Sequence, residues 1–571
     1  MFRKKDPQFS LFEAYHYLPE VKKQRLESTW PHVFRTEVMP MIPEEEFSHL
    51  YCEDNGRPNE PVSILVALSV IKEMEDLTDE QLLDAYYFDI RYQYALSVTP
   101  DEAYLAPRTL YYFRQRVVGD RAVQRVFDAV TDKIIEILCL RLGKQRLDST
   151  HIRSNMANLS RLGLFVRTIE TFLKRLKMSY PKKVEALPKE IYKRYLERKG
   201  YFADSKSSEA RRRLNDCAKD LLYLVDIFSD DGAVKGLRSY KQLRRLFNEQ
   251  CELERDSEEG GNKVILKKEV PSTSLQNPSD PDATYGHKGK GYKVQISETC
   301  DKANEVQVIT HVETQGAHES DQNFSTPIIE GLDSKGRKPD TLYADAGYGS
   351  GENIMEAEER EVELMAPIEV GAKPKEDRLS LAEFIFTEDG AQVIRCPAGE
   401  KPFNHRRSKD QHKINAFFRK EACDSCEKLS RCPVSQHKKH NNLKFTDKDL
   451  IIAARKVEQE SLKFKEEYKI RSGIEATNSE LKRKHDMGKA WTRGKERVTF
   501  AVIMKVTACN IKRFMRQRVK SLPEFKPDVV TGAENGLLGG AVGQISSYLA
   551  NLWQYLLKTM TYPPNLTKSM A

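Results

Sequence analysis

Between Tyr292 and Pro367 the chain changes its apolar period in a way that few folds accommodate. Tyr292-Lys-Val-Gln-Ile-Ser and Val306-Gln-Val-Ile-Thr-His-Val alternate apolar with polar residues, the pattern of half-buried strands. A helical stretch, Phe324 to Leu332, separates them from a short buried-type run, Thr341-Leu-Tyr-Ala-Asp; a second helical stretch, Gly351 to Arg360, precedes another strand, Val362-Glu-Leu-Met-Ala-Pro. Adjacent strands joined by a short link pair antiparallel, whereas strands joined through a helix pair parallel. With the upstream strand Gln145-Arg-Leu-Asp-Ser-Thr-His-Ile, the pattern predicts an α/β fold built on a mixed sheet.

Such a sheet can bring together three acids. Asp148 lies on the upstream strand, Asp345 ends the buried run and Glu475 falls on a late helical stretch. Asp345 is followed by Ala-Gly-Tyr-Gly-Ser, so a buried strand delivers a carboxylate to the sheet's carboxyl edge beside glycines that permit close approach. Residues Asp449 to Asp486 read as one long helix. At about 100° per residue, Tyr468, Arg471, Glu475 and Lys482 then share one narrow stripe, where an amphipathic helix would place apolar groups. The plainer reading of that stripe is a solvated face with i,i+4 pairing of Arg471 to Glu475.

Tyr468, Arg471, Glu475 and Lys482 reproduce the spacing Y-(2)-R-(3)-E-(6)-K, and Leu147-Asp-Ser-Thr and Tyr343-Ala-Asp-Ala-Gly-Tyr supply two aspartate motifs upstream. In these motifs the chain resembles the DDE transposases of bacterial insertion sequences. The resemblance implies a ribonuclease-H-like catalytic core in which Asp148, Asp345 and Glu475 hold two Mg²⁺ (or Mn²⁺) ions, with Tyr468, Arg471 and Lys482 on DNA. It further implies hydrolysis at the element's ends, transfer of the 3′ end to target DNA, a homodimer on DNA with terminal inverted repeats and target DNA as partners, no membrane, and a cytoplasmic, nucleoid-associated location. Hard carboxylate oxygens suit magnesium, and two such ions can polarise a phosphodiester and relieve both attacking and leaving oxygens. A nuclease without strand transfer, or a catalytically inactive DNA-binding relative, are the alternatives; the second would break the acidic set or the signature, and these, with the strand-end Gly347, are intact.

The expected organisation is an N-terminal helical DNA-binding domain (1–140), the first part of the core (141–165), a helical insertion and loop (166–280), the main core (281–370), an irregular cysteine-rich insertion (371–447), C-terminal core helices (448–520) and a tail (521–571). The N-terminal part ends in a helix-turn-helix-like element, Pro107-Arg-Thr-Leu-Tyr-Tyr-Phe-Arg-Gln-Arg, suited to DNA. Gly536 to Leu557 is the sole candidate membrane segment, but Gln544, Ser546, Ser547, Asn551 and Gln554 interrupt it, so a packing helix is expected. The formal charge of +8 suits a polyanionic partner, and the basic end of the late helix (Lys512, Arg513, Arg516, Arg518, Lys520) reads as a phosphate-facing surface.

Ten cysteines in 571 residues are too sparse for a disulfide scaffold, and the polar N-terminus suits a reduced, cytosolic setting. Four of the ten, Cys396, Cys423, Cys426 and Cys432, crowd into one insertion that looks poor in apolar residues. They predict a structural Zn²⁺ site with sulfurs within about 4 Å of one another, His405, His412 or His437 being able to replace one thiol. Trp491 is expected to pack in the core or stack on a base, His151 and Arg153 to contact DNA or sit half-exposed at a strand end, and His318 and Asp321 to approach the carboxylates, the plainer account of the latter stretch being a helix N-cap by Ser320 or Asp321.

Overall fold

The computed structural model describes residues 2–6, 13–52, 58–197, 207–255, 262–368, 378–387, 390, 392–408 and 413–525. The fold is mixed α/β. Its central sheet contains β1 (Lys144–Arg153), β2 (Thr284–Gly286), β3 (Gly289–Thr299), β4 (Ile309–Gly316), β5 (Thr341–Tyr343) and β6 (Glu363–Met365). The order across the sheet is β4-β3-β1-β5-β6, with β2 paired to the start of β3. β3 runs antiparallel to β4 through a short link and to β1 across the long intervening segment; β5 and β6, each reached through a helix, run parallel to β1 and to one another. β1 spans Lys144–Arg153 with Asp148 mid-strand, and the run that begins at Val306 enters the sheet only at Ile309.

Both faces of the sheet are covered. Leu147, Leu342 and Leu364 pack under Ile328, Ile329, Leu332, Ile354 and Ala357 from the helices Ser325–Asp333 and Gly351–Glu358. On the other face Tyr292, Val294, Ile296, Ile309 and Val312 share one core with the N-terminal helices Val62–Glu75 and Ala122–Ile137 and the long helix Lys495–Val519. Thr78 starts the next N-terminal helix with a capping box to Gln81. The segment between β1 and β2 has a core of its own, where Phe165, Phe172, Leu221, Tyr240 and Leu246 meet.

Three expectations fail locally. The stretch 449–486 is not one helix: it divides into Asp447–Glu458, Leu462–Tyr468, a 3₁₀ turn Lys469–Ser472 and Gly473–Lys484. Ser461 caps the second piece, and the Ile470 carbonyl, which a continuous α-helix would bond to residue 474, instead accepts from Arg146 Nη1 at 3.0 Å. A Cβ on Gly473 would lie 1.8 Å from that nitrogen, so glycine lets the guanidinium in. The cysteine-bearing region is not irregular: Asn404–Arg407, Ile414–Arg419, His440–Phe445 and Ser435–Gln436 form an antiparallel sheet. Its inward residues Ile414, Ala416, Phe418, Leu443 and Phe445, with Phe384 and Val393, give it an apolar core. Nor is the end of the long helix a free cationic face: Arg513 pairs with Glu298 and Glu480, Arg516 with Glu480, Arg518 with Glu37, and Lys512 with Glu75 and the Met74 carbonyl. No helix among the described residues is long and apolar enough to cross a membrane; the stretch 536–557 and His412 lie outside them.

Candidate active site

Strand register explains how two acids meet. β1 and β5 are parallel with Arg146 opposite Tyr343, and two residues further along each chain come Asp148 and Asp345, on the same face by the period of two. Asp345 lies just past β5, where it caps the 3₁₀ turn Ala346–Tyr348 and its Oδ1 accepts from the Gly347 N–H at 2.9 Å. Asp148 accepts from its neighbour's N–H (Ser149, 2.9 Å) and from Asn478 Nδ2 (2.9 Å). Asn478 lies one turn beyond Glu475 on the helix Gly473–Lys484, so this bond ties the third carboxylate's helix to β1.

Arg471 sits among all three acids. Its Nη2 lies 3.3 Å from Asp148 Oδ1 and 3.6 Å from Asp345 Oδ2, and its Nη1 lies 3.0 Å from Glu475 Oε1. The two aspartate oxygens are therefore no farther apart than those two legs laid end to end. The Arg471 side chain is only 16% exposed, whereas the Glu475 side chain is 66% exposed. Burial pushes the Asp148 carboxyl up to about 6, with Asp345 adding to the rise and Arg471 opposing it. Asp345 is raised for the same first reason, with Arg471 opposing and Asp321 adding. The site thus concentrates negative charge that one guanidinium only partly offsets.

The other signature residues go different ways. Tyr468 turns inward: its hydroxyl donates to the Ala344 carbonyl at 2.9 Å and its ring stacks on Phe464, so it fixes the backbone just before Asp345 rather than facing DNA. Lys482 is exposed; partial burial and the nearby Lys288 lower its pKa, with Asp148 opposing. Burial, then Lys288 and Lys482, depress the His151 imidazole to about 4, so it is neutral. Arg153 anchors the chain after the signature helix through backbone bonds to Gly488 and Ala490. Trp491 is 67% exposed beside Lys489, not in the core.

Asp321 does not cap a helix. Its Oδ1 accepts from Lys293 Nζ (3.1 Å) and Gln295 Nε2 (2.9 Å), and its Oδ2 from the Ser149 hydroxyl (3.2 Å), which places a fourth carboxylate beside Asp345. The same-face alternation of Lys293 and Gln295 on β3 was the available signal. His318 turns away, its Nδ1 lying 3.0 Å from the Thr284 hydroxyl. A residue with no motif proves central to the support: Glu298, 0% exposed, accepts from Arg146 Nε (2.7 Å), Thr477 Oγ1 (2.7 Å) and Arg513 Nη1 (3.1 Å). It joins β1, β3, the Glu475 helix and the long helix in one buried network.

Cys396, Cys423, Cys426 and Cys432 line one small cavity, and burial raises the Cys423 and Cys432 thiols. Among the described residues the donors lying within 4.8 Å of one another are those of Glu480, His485 and Cys509; neither the four clustered cysteines nor Asp148, Asp345 and Glu475 form such a group. His405 Nε2 accepts from the Val393 N–H, and the ring of His437 lies against His440.

Compared with protein-family models, residues 395–515 match a transposase DDE domain and residues 24–116 a transposase domain (DUF772). The first segment contains the four clustered cysteines, Tyr468, Arg471, Glu475, Lys482 and most of the long helix; Asp148 and Asp345 lie outside it. Neither a curated protein nor a solved structure matches the chain. The two matches, over residues 24–116 and 395–515, support an insertion-sequence DDE transposase.

Proposed function

We propose that the protein cuts DNA at the ends of its own mobile element and joins the freed 3′ hydroxyl to target DNA, using Asp148, Asp345 and Glu475 as the ligands of two Mg²⁺ or Mn²⁺ ions. The observation that carries this reading is the single guanidinium touching all three carboxylates. The donor set fits the ions: it is all carboxylate oxygen, with no thiolate among the groups that meet Arg471. Three antiparallel strands followed by a parallel pair, with the acids where the two parts join, support the ribonuclease-H-like reading of the core.

When bound, the ions supply Lewis-acid stabilisation of the phosphate and a water acidified enough to attack it. The protein's own groups do the rest. Asn478 and the Ser149 N–H orient Asp148, and the Gly347 N–H orients Asp345. Tyr468 holds the Ala344 carbonyl and so the β5 exit. Arg471 keeps the acids together in the ion-free protein, and its planar fork matches a phosphate as well as a carboxylate, so the same side chain grips the DNA backbone when substrate enters. Lys482, Lys288 and Arg153 hold flanking phosphates, which sets position rather than sequence. A homodimer acts on paired ends.

A labelled, pre-cut element end incubated with plasmid DNA and Mg²⁺ tests this. Joined product of increased length is expected. Cleavage of an uncut end with no joining would favour the nuclease, and binding with neither step would favour the inactive relative.

A further inference from the structure

We propose a second metal site, for a zinc-like ion, formed by Glu480, His485 and Cys509 at the junction of the Glu475 helix with the long helix. Their donor atoms all lie within 4.8 Å of one another. The site is separate from the acidic trio and does not depend on the reaction assigned above.

The imidazole of His485 is the strongest indication. It is 0% exposed, and its Nδ1 lies 2.8 Å from the Glu73 carbonyl. A carbonyl can only accept, so Nδ1 carries the proton and Nε2 presents a lone pair. That nitrogen is buried and, among the described residues, has no hydrogen-bond partner, an arrangement that costs free energy unless something binds there. An imidazole whose far nitrogen donates to a backbone carbonyl is oriented as metal-bound histidines are. The residue is pinned a second time, since Lys505 Nζ donates to its backbone carbonyl at 2.6 Å.

The remaining donors complete a mixed set. Cys509, 0% exposed on the long helix, offers sulfur. Glu480 uses Oε2 for Arg513 (3.1 and 2.9 Å), while Oε1 has Arg516 at 3.5 Å. Nitrogen, sulfur and one carboxylate favour zinc or cobalt over magnesium. Donors sharing one tetrahedral ion stand roughly 3.5 Å apart, so side-chain movements of about 1 Å close the set. Binding releases the Cys509 proton to solvent, and thiolate plus carboxylate then balance the dication. The nearby cations have other partners: Arg513 also bonds Glu298, Lys505 bonds Glu73 and Lys512 bonds Glu75. The ion would fasten the turn after the signature helix to the long helix, behind the carboxylates.

The test uses the reduced, chelator-treated full chain titrated with Co²⁺, in a background where Cys396, Cys423, Cys426 and Cys432 are all serine. One equivalent of Co²⁺ with a thiolate-to-cobalt band and visible d–d bands is expected, together with a melting midpoint that rises with added Zn²⁺. Cys509→Ala should abolish the band, and His485→Gln should weaken binding at least tenfold. If the four-serine chain does not fold, the parent chain against its Cys509→Ala variant, or against His485→Gln where that variant does not fold, must lose one equivalent. No cobalt band in a folded four-serine chain, or the same bound metal with and without Cys509 or His485, overturns the site.

Discussion

Glu298→Gln is the sharpest structural perturbation available. The substitution keeps shape and a hydrogen-bonding oxygen for Thr477, but leaves Arg146 and Arg513 facing a neutral amide in a place with no solvent. Breaking a buried ion pair from one side costs about 3–5 kcal/mol. Arg513 retains Glu480, so the lower end applies. About 3 kcal/mol, divided by a urea dependence of about 3 kcal/mol/M, moves the unfolding midpoint down by about 1 M. The signal should come from the transition that unfolds the sheet, because the segment between β1 and β2 has its own core and can melt separately. Hydrogen exchange should quicken in the helix Gly473–Lys484, which is tied to β3 through this network. Glu136→Gln, which removes the exposed partner of Lys133, is the control and should shift the midpoint by less than about 0.3 M. A Glu298→Gln midpoint within that same margin would refute the idea that this network supports the site.

Arg471→Ala removes a positive charge next to all three acids, worth about 1 kcal/mol even at water-like screening, so Mn²⁺ measured calorimetrically should bind at least about fivefold tighter while cleavage falls; weaker binding would contradict the arrangement. Asp321→Asn keeps the fold but removes the charge facing Lys293, which retains the Glu319 carbonyl, and cleavage should drop about tenfold with end binding unchanged, as for a group that orients ligands; an unchanged rate in a gel-based cleavage assay excludes that role. Gly349→Ala puts a Cβ 1.9 Å from the Pro367 carbonyl oxygen, an atom fixed in the backbone, and should cost about 3 kcal/mol or more in a urea melt; a midpoint equal to the parent's would show that the turn after Asp345 yields.

The alternating runs at Tyr292 and Ile309 and the glycines after Asp345 were readable because strand period and turn chemistry are local properties. The i,i+4 contact of Arg471 with Glu475 was equally local, and it exists, but alongside contacts to both aspartates rather than as a solvated pair. The broken signature helix could not be read, since the group that takes the Ile470 carbonyl, Arg146, comes from a strand more than 300 residues earlier. The basic end of the long helix misled for a similar reason: Glu37, Glu75 and Glu298 neutralise it from remote parts of the chain. In the cysteine region the short strands Ile414–Arg419 and His440–Phe445 alternate in burial, but Ala416-Phe-Phe and His440-Asn-Asn break the apolar-polar alternation in the sequence, so the cysteines were the more visible signal. Trp491 shows that a large aromatic ring in a basic loop need not be core.

Whether Asp345 is an ion ligand is tested most directly by exchanging its oxygen for sulfur. Asp345→Cys should bind element ends as the parent does and lose cleavage by orders of magnitude in Mg²⁺, which rejects thiolate. It should recover a substantial part in Mn²⁺, which accepts it. Near-normal cleavage in Mg²⁺, or an equal defect in both ions, would contradict the assignment of Asp148, Asp345 and Glu475 as the metal-holding site.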